Sequence, residues 1–498
     1  MIARVLTAVP TGFDGQTVTV ECDITKGLPA FVIVGLADKA VAESRERVRS
    51  AIINSGLTFP AKRITINLAP ASLAKEGSHL DLPIAISILV CSGQLAQKDI
   101  DGIMVAGELS LNGELRQVRG AILFAEAAKK AGCRTIILPK QNAAQAALVD
   151  DMNVVGITTF TDIILHLLNE KAIAPSVPNL DHSAALDHPS IDEIRGQNTA
   201  KRALIVAAAG HHNLLFTGSP GAGKTMLART LPGLLPDLTR NEMIESTKIY
   251  SLAEESIEGL VYHRPFRSPH HTASFAALIG GGNKVKPGEV SLAHNGVLFL
   301  DEIPEFPRSS LEALRQPLED RAVHISRASG KVSYPAHFML VATMNPCPCG
   351  YFGDDKKACT CSQQMILSYQ KRLSGPLLDR IDMTVPVARI DRKELFATKK
   401  TTDVDSRAKT FRQSIAVARQ IQISRQSKPN SARSNKELEH HAHLANDAKN
   451  MLLDASEKLN LSARSHFKTL KVARTIADLN EHSQIEISDI AEALQYRH

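Results

Sequence analysis

The chain has 498 residues, which is too long for one hydrophobic core and predicts two or three domains. Its 44% apolar and 22% charged residues are ordinary for a globular protein, and because no run of about 18 apolar residues occurs, we expect no membrane span and a cytoplasmic location. A net charge of +6 permits nucleic-acid binding without proving it, and aromatic residues at 4% leave little for base stacking.

The N-terminal part predicts an α/β domain. Residues 1 to about 170 alternate β-type runs such as AFVIVG and TIILP with Ala-rich helical stretches such as GAILFAEAAKKAG. Residues 171–190 are rich in Pro, Ser, Asp and Ala without periodicity, so they are expected to form a linker.

Several segments between residues 75 and 140 of this domain resemble the Lon protease domain, which uses a Ser–Lys dyad. When that pattern is laid over this chain, the serine position falls on His79 and the lysine position on Ile122. Ser78 is shifted by one position and has no matching lysine, and a hydroxyl without a base is a poor nucleophile. The resemblance therefore implies a Lon-like fold without proteolysis, used for ring assembly or DNA contact.

A second α/β pattern, over residues 191–391, predicts a P-loop ATPase core. Its stretch 213-NLLFTGSPGAGKTMLARTL-231 joins a strand, a glycine-rich loop and a helix in the pattern G-x-x-x-x-G-K-[ST]. Backbone N–H groups of such a loop surround the phosphates of ATP, the lysine adds a positive charge, and the threonine hydroxyl can bind Mg²⁺. The candidate ATP-binding residues are Gly218, Ser219, Pro220, Gly221, Ala222, Gly223, Lys224 and Thr225.

Two carboxylates follow the apolar strand in 297-VLFLDEIPEF-306. After a phosphate loop, such a pair predicts Asp301 as the residue that holds Mg²⁺ and Glu302 as the residue that polarises the attacking water. Asn345 ends a third apolar strand, HFMLVATMN, where its amide can orient water against the γ-phosphate. Arg380, in an exposed-looking turn, is a candidate arginine finger for the nucleotide of a neighbouring subunit, and a surface ion pair with Asp379 or Asp382 is the alternative.

Residues 392–498 contain no convincing strand and several helical windows, which predicts an all-α C-terminal domain. The order of phosphate loop, LFLDE, MNP and LLDRID, together with 266-FRSPHHTASFAALIGGG-282, resembles the AAA+ ATPases of the magnesium-chelatase and MCM-helicase branch. Over its whole length the chain resembles the ComM/YifB family of magnesium chelatase-like proteins. The resemblance implies that Arg464 in the helical lid is the second sensor arginine, with Arg474 as an alternative.

Two further segments match inserts of this branch. The first carries Lys284 and Lys286 after a glycine-rich tip, and the second is a predicted hairpin with Arg327 and Lys331 beside its turn. In a ring, such loops face the central pore and can grip a phosphate backbone without reading its sequence. Two solvated turns with ordinary cations explain the same residues equally well.

The resemblance implies an ATP-driven homo-hexameric DNA motor. Such a motor would promote branch migration during integration of incoming DNA in recombination and natural transformation, and would act on single-stranded and branched DNA beside other recombination proteins. A chelatase-type ATPase subunit is one alternative, although the chain carries no integrin-like metal site. An ATP-dependent protease or protein-remodelling factor is another, and the missing dyad argues against it.

Four cysteines crowd into 347-CPCGYFGDDKKACTC-361 just after Asn345. A reducing compartment disfavours structural disulfides, and four thiolates can bind Zn²⁺ tetrahedrally, although pairs separated by a single residue are tighter than usual. A redox-labile loop or four unrelated thiols is the alternative. The predicted zinc ligands are Cys347, Cys349, Cys359 and Cys361.

Overall fold

The structure is a computed structural model that describes residues 2–36, 38–178, 188–253, 260–282, 285–327, 330–390 and 404–497. The chain forms two compact units. The first consists of Met1–Ser183, Arg240–Tyr262 and Ser326–Tyr334, and the second of Ala184–Thr239, His263–Ile325 and Pro335–His498.

The first unit is built on a mixed seven-stranded sheet of order β3-β4-β2-β1-β5-β8-β9. The strands β1, β2 and β4 pair antiparallel, whereas β3 with β4 and the run β1-β5-β8-β9 are parallel. The unit also contains a two-stranded ribbon, β6-β7. The strands are β1 Ala3–Thr11, β2 Asp14–Thr25, β3 Ala30–Val34, β4 Arg63–Ala69, β5 Ile103–Val105, β6 Glu108–Leu109, β7 Leu115–Arg116, β8 Thr135–Pro139 and β9 Asn153–Ile157.

The helices of this unit cover the sheet, and their sequences explain how deeply each helix is buried. The continuous apolar run of α2 is buried from Asp81 to Val90 and packs on β1 and β2, because a helix that is apolar all round is stable only inside a core. Its first residue, Asp81, is held by Arg47 of α1 at 2.6 Å. The helices are α1 Lys39–Asn54, α2 Asp81–Cys91, α3 Ala121–Lys130, α4 Lys140–Ala146 and α5 Phe160–Leu167.

The second unit contains a five-stranded sheet of order β11-β14-β17-β10-β18 in which every pair is parallel. Parallel strands need crossover connections, and the intervening helices supply them. Two small ribbons, β12-β13 and β15-β16, interrupt the pattern. The strands are β10 Leu214–Thr217, β11 Phe266–Arg267, β12 Gly280–Gly281, β13 Lys286–Pro287, β14 Val297–Leu300, β15 Ala322–Arg327, β16 Gly330–Pro335, β17 Met339–Met344 and β18 Met383–Pro386.

The C-terminal part of the second unit is helical, and α15 and α18 pack against α6, beside the sheet. The helices α6 to α19 are Asn198–Gly210, Lys224–Thr230, Arg240–Leu252, Phe275–Ile279, Glu289–Leu292, Arg308–Ala313, Arg315–Asp320, Gln363–Gln370, Gly375–Leu378, Val404–Gln426, Asn435–His441, Asn446–Lys458, Ala463–Leu479 and Ile487–Gln495. Short 3₁₀ turns occupy Ser78–Leu80, Gln97–Asp99, Ile191–Glu193, Pro232–Leu234, Ile303–Glu305 and Asn430–Ala432.

One helix departs from the order of the sequence. Helix α8 lies in the chain between the phosphate loop and β11, in the stretch that the sequence assigns to the ATPase core, yet it belongs to the first unit. Its buried residues pack against α3, and Lys248 pairs with Glu126 at 2.9 Å. Arg240 pairs with Asp150 at 2.6 Å. The apolar and ionic contacts of α8 therefore place it in the first unit, although its neighbours in sequence belong to the second.

Candidate nucleotide-binding site

The phosphate loop follows β10, the strand between β17 and β18 in the parallel sheet. Ligands of open α/β sheets bind beyond the carboxyl ends of such strands. At Gly218 a Cβ atom would lie 2.2 Å from the carbonyl oxygen of Val387, so only glycine fits between the strands. Gly223, with φ of +90°, turns the chain into α7. The loop is therefore shaped by backbone constraints that its glycines satisfy.

Lys224 lies across this loop rather than in solvent, and it is only 8% exposed. Its ammonium group donates hydrogen bonds to the carbonyl oxygens of Gly218 and Ser219 at 2.5 and 3.1 Å, and to Oδ1 of Asn345 at 3.0 Å. Burial lowers the pKa of Lys224, while the charges of Asp301 and Glu302 act in the opposite direction. The structure thus brings together a cation and an amide that are 121 residues apart in sequence.

The carboxylate of Asp301 is fixed by two hydroxyl groups. Thr225 donates to its Oδ2 at 3.0 Å, and Thr343 donates to its Oδ1 at 2.5 Å. Thr343 is fully buried in β17 and also accepts the backbone N–H of Glu302 at 2.9 Å. The sequence analysis missed Thr343, although a lone hydroxyl near the end of an apolar strand is a signal that could have found it.

Glu302 is exposed and has a left-handed backbone conformation with φ of +50°. This conformation is uncommon outside glycine and requires support from the surrounding structure. The hydrogen bond from its N–H group to Thr343 supplies that support.

A small cavity of about 210 Å³ adjoins the phosphate loop at Ala222 and Gly223, and the sequence analysis did not predict it. Ile194, Met226 and Leu227 line it with apolar side chains. Gln197 closes one side by donating to the carbonyl oxygens of Ala222 and Ala388 at 3.3 and 2.5 Å. An apolar slot beside a phosphate loop has the chemistry that a flat base requires.

The two arginines proposed from the sequence meet at one carboxylate. Arg380 pairs with Oε1 of Glu319 at 2.6 Å, and Arg464 pairs with the same oxygen at 3.1 Å. Within the described part of the chain, neither arginine has an ion pair or hydrogen bond with the phosphate loop.

The alternative arginine of α18 occupies a different environment. Arg474 is 1% exposed and bonds Asp478 and the carbonyl oxygens of Ala442, His482 and Ser483. Because its guanidinium group is saturated by interior acceptors, this residue stabilises the helical domain.

The four clustered cysteines are brought together, and their sulfur atoms all lie within 4.8 Å of one another. The Sγ of Cys347 lies 3.3 Å from that of Cys349 and 3.7 Å from that of Cys359. Backbone N–H groups donate to these sulfurs, with Phe352 to Cys347 at 3.3 Å and Cys361 to Cys359 at 3.4 Å. Such bonds stabilise thiolates, which are the form that binds metal.

The cysteine loop rests on the phosphate loop. A Cβ atom at Gly350 would lie 2.5 Å from the ring of Pro220, so the backbone of the cysteine loop packs closely against that ring. A hydrogen bond from Ser219 is the main cause that lowers the pKa of Asp354, which also pairs with Arg389 at 3.3 Å. The geometry of the nucleotide loop is therefore linked to the fold of the cysteine loop.

The cations of the two predicted inserts lie on short ribbons. Lys286 is in β13, and Lys331 is exposed in β16. Arg327 ends β15, where only its backbone is described, and Lys284 lies outside the described residues.

In the first unit, the residues at the Lon dyad positions do not form a dyad. His79 is 8% exposed, and burial lowers its pKa to about 4. Ile122 is fully buried in an apolar cluster. The hydroxyl group of Ser78 bonds Glu108, and the ammonium group of Lys75 bonds the carbonyl oxygen of Pro70.

An all-parallel sheet with a phosphate loop, an Asp–Glu pair and an asparagine at the carboxyl ends of three strands defines a P-loop ATPase of the AAA+ class. Three family models match the chain: "Magnesium chelatase, subunit ChlI" over residues 190–395, "Subunit ChlI of Mg-chelatase" over 20–142, and "Magnesium chelatase, subunit ChlI C-terminal" over 405–497.

The same assignment follows from individual relatives. Competence protein ComM of Haemophilus influenzae is 44% identical over 508 residues, which cover 100% of this chain and 97% of the relative. YifB of Escherichia coli is 44% identical over 497 residues, with the same coverage. The chain belongs to the ComM/YifB family of magnesium chelatase-like AAA+ proteins, and this membership implies ATPase activity with ATP and Mg²⁺.

The predicted fold class is confirmed. A Lon protease of Leptospira interrogans is 27% identical over 177 residues, which are 34% of this chain and 21% of the relative, in agreement with a Lon-like α/β domain beside the ATPase core and the helical C-terminal part. No helix among the described residues is long and apolar enough to cross a membrane.

Proposed function

We propose that this protein is an ATP-driven DNA motor that assembles as a hexameric ring and promotes branch migration while incoming DNA is integrated by recombination. The observation that carries the proposal is the convergence of Lys224, Asp301, Glu302 and Asn345 at one edge of the parallel sheet, in a chain that is 44% identical to a competence protein over its whole length. A cytoplasmic location, a role in natural transformation and contact with other recombination proteins form part of the same proposal.

The hydrolysis site would work from one edge of the sheet. The phosphate loop, from Gly218 to Thr225, cradles the phosphates, and Lys224 exchanges its carbonyl acceptors for phosphate oxygens. Thr225 and Asp301, already bonded at 3.0 Å, would hold Mg²⁺, which supplies charge neutralisation between the phosphates. Glu302 polarises the attacking water, and Asn345 orients it beside the γ-phosphate.

The arginines would complete the site of a neighbouring subunit. Arg380 and Arg464 share Glu319, so one phosphate group could pair with both arginines if it displaced this carboxylate. The side chain of Glu319 is 50% exposed and that of Arg380 is 9% exposed, so a phosphate that displaces Glu319 must itself pair with a largely buried guanidinium group. This arrangement supports roles for Arg380 as the finger and Arg464, rather than Arg474, as the second sensor.

The DNA would be held through its backbone. The proposed contacts are Lys284, Lys286, Arg327 and Lys331, which lie in the two inserts typical of this branch of ATPases. Cations of this kind bind phosphates without reading bases, which suits a motor that must accept any sequence of single-stranded or branched DNA.

The cysteine cluster would hold a structural Zn²⁺. Four thiolates at about 2.3 Å from zinc stand roughly 3.8 Å apart. The separations among the sulfurs of Cys347, Cys349 and Cys359 are 3.3 to 3.7 Å, close to that value, and all four sulfurs lie within 4.8 Å of one another. The N–H groups directed at Cys347 and Cys359 fit such a centre. Its chemistry would be structural: zinc would fix the loop that contacts Ser219 and Pro220.

The test is ATP-dependent branch migration on synthetic three-strand and four-strand junctions, with the Glu302→Gln protein as the matched control. The proposal requires product formation that depends on hydrolysis, so the control must bind the junction and fail to move it. A wild-type protein that hydrolyses ATP yet leaves both junctions unchanged would refute the motor and leave the ATPase assignment intact.

A further inference from the structure

A cavity of about 720 Å³ lies in the second unit between the ATPase core and the C-terminal helices. The side chains that line it include seven cations and four carboxylates, and this size is typical of cavities that hold small ligands. Sequence motifs identify Arg380 and Arg464 at this cavity but none of its other cations.

The side chain that distinguishes this cavity is Arg433, which follows the 3₁₀ turn before α16. It is only 1% exposed, yet none of its three guanidinium nitrogens has a hydrogen-bond partner among the residues that the structure describes. Buried guanidinium groups are otherwise paired, because an unpaired buried charge destabilises the fold. Burial, followed by the charge of Arg425, lowers the pKa of Arg433 to about 10.

The nearest carboxylates are already occupied. Asp478 accepts hydrogen bonds from Arg425 at 2.6 Å, from Arg474 at 3.1 Å and from Asn430 at 2.8 Å. Glu437 pairs with Lys428 at 2.6 Å. Both carboxylates therefore have other partners, and no described residue accepts a hydrogen bond from the guanidinium group of Arg433.

Two lysines of α18 add to this positive environment. Lys468 donates to the carbonyl oxygens of Leu378 and Ile381, and Lys471 donates to that of Ser431, so both lack a carboxylate partner in the described contacts. Both line the same cavity as Arg433. Asp382 and Asp379 offset part of the charge of Lys468, but the lining has seven cations and four carboxylates, and this excess of positive charge attracts a compact oxyanion.

We propose that this cavity is a second phosphate site, separate from the phosphate loop, in which Arg433 is the anchoring cation and Lys468 and Lys471 flank the ligand. The ligand class is a tetrahedral phosphate, either free inorganic phosphate or the terminal phosphate of a nucleotide. Each supplies several charged acceptors, and a guanidinium group binds two of them at once. The site does not depend on DNA movement, and it can exist whether or not the protein is a motor.

The experiment uses the full chain with Lys224→Ala, so that the phosphate loop contributes little to anion binding. Calorimetric titration with inorganic phosphate should show saturable binding, and Arg433→Met should weaken it by at least about tenfold, as loss of one charge-assisted pair requires. A parallel titration with ADP separates the two sources. If phosphate binds and ADP does not compete with it, the cavity is a site for free phosphate. If ADP competes with phosphate, the cavity is a site for a nucleotide.

Thermal unfolding distinguishes a ligand site from a structural arginine. If Arg433 awaits an anion, Arg433→Met keeps or raises the melting temperature without phosphate and abolishes the increase that phosphate produces. Arg321→Met, which removes another cation of the cavity, should also weaken phosphate binding severalfold. Arg412→Met, which removes an exposed arginine paired with Asp237, is the matched control and should change neither quantity.

Three results would overturn the inference. They are a melting temperature that falls in Arg433→Met without anion, phosphate stabilisation that persists in that variant, and protection by single-stranded DNA but not by phosphate.

Discussion

Replacement of Thr343 by valine is the sharpest test of the hydrolysis site, because it changes a residue that no motif predicts. Valine keeps the volume and the β-branched shape that a buried strand position requires. It removes the hydroxyl group that donates to Asp301 at 2.5 Å and accepts the N–H of Glu302 at 2.9 Å. The substitution leaves Asp301 with the bond from Thr225 alone and removes the acceptor of the backbone N–H of Glu302.

The magnitude follows from these two bonds. A hydrogen bond to a charged group contributes about 1.5–3 kcal/mol and a neutral one about 0.5–1.5 kcal/mol. Because Asp301 is half-buried and water can replace part of the lost donor, we expect the free energy of unfolding to fall by about 1–3 kcal/mol. If a similar energy positions Asp301 and Glu302 in the transition state, kcat falls by about tenfold to a hundredfold.

The assay is steady-state ATP hydrolysis, with nucleotide binding measured separately. Thr343→Val should lower kcat while the nucleotide Kd changes little, since the phosphate loop is intact. Thr343→Ser is the control, because it keeps the hydroxyl group and should recover most of the rate. Wild-type kcat in Thr343→Val, or equal losses in the serine and valine variants, would refute the positioning role.

The other predictions concern chemistry, assembly, DNA and zinc. Glu302→Gln should retain nucleotide and DNA binding while hydrolysis falls by orders of magnitude, and a matching loss of nucleotide binding would make Glu302 structural. Lys224→Ala should weaken nucleotide binding, and its mixture with Arg380→Ala should regain part of the activity, since some mixed interfaces keep both groups. No recovery at any ratio would argue against Arg380 as a finger in trans. DNA affinity should fall steeply with salt, and Lys286→Ala should reduce that slope without changing sequence preference. DNA binding that does not depend on salt would contradict contacts to the phosphate backbone. Purified protein should contain about one zinc per chain by elemental analysis, and Cys347→Ser should release it and lower ATPase activity or hexamer stability without abolishing nucleotide binding. A metal-free wild-type protein would contradict that.

The parts of the fold and site that could be predicted from sequence are those encoded in short contiguous patterns. The loop from Gly218 to Thr225 can be recognised in the sequence because its glycines, lysine and threonine must have a fixed spacing to surround phosphates. Asp301 and Asn345 could be expected at one edge because both end apolar strands of a parallel sheet. These predictions need only the hydrophobic pattern of each strand and the position of its carboxyl end.

Other features depend on tertiary partners that no local pattern specifies. Helix α8 shows no sign in its own sequence that it joins the first unit, because its partners Glu126 and Asp150 lie 122 and 90 residues away. Thr343 is one hydroxyl group in an apolar strand, and its importance comes from the two groups that it bonds. Arg433 is one of many basic residues in the sequence, and only the structure shows that it is buried and that its guanidinium group has no hydrogen-bond partner among the described residues.

The arginine pair shows how such tertiary information changes a functional argument. From sequence, Arg380 was open to a local ion pair with Asp379 or Asp382, and Arg464 was one of two lid candidates. In the structure Arg380 instead pairs with Glu319, 61 positions before it, and Arg464 reaches the same oxygen from 145 residues away. Two cations on one half-exposed carboxylate leave an excess positive charge at that point. In the proposed mechanism, a second copy of the chain would bring Arg380 and Arg464 to the nucleotide that the phosphate loop, Asp301 and Asn345 hold.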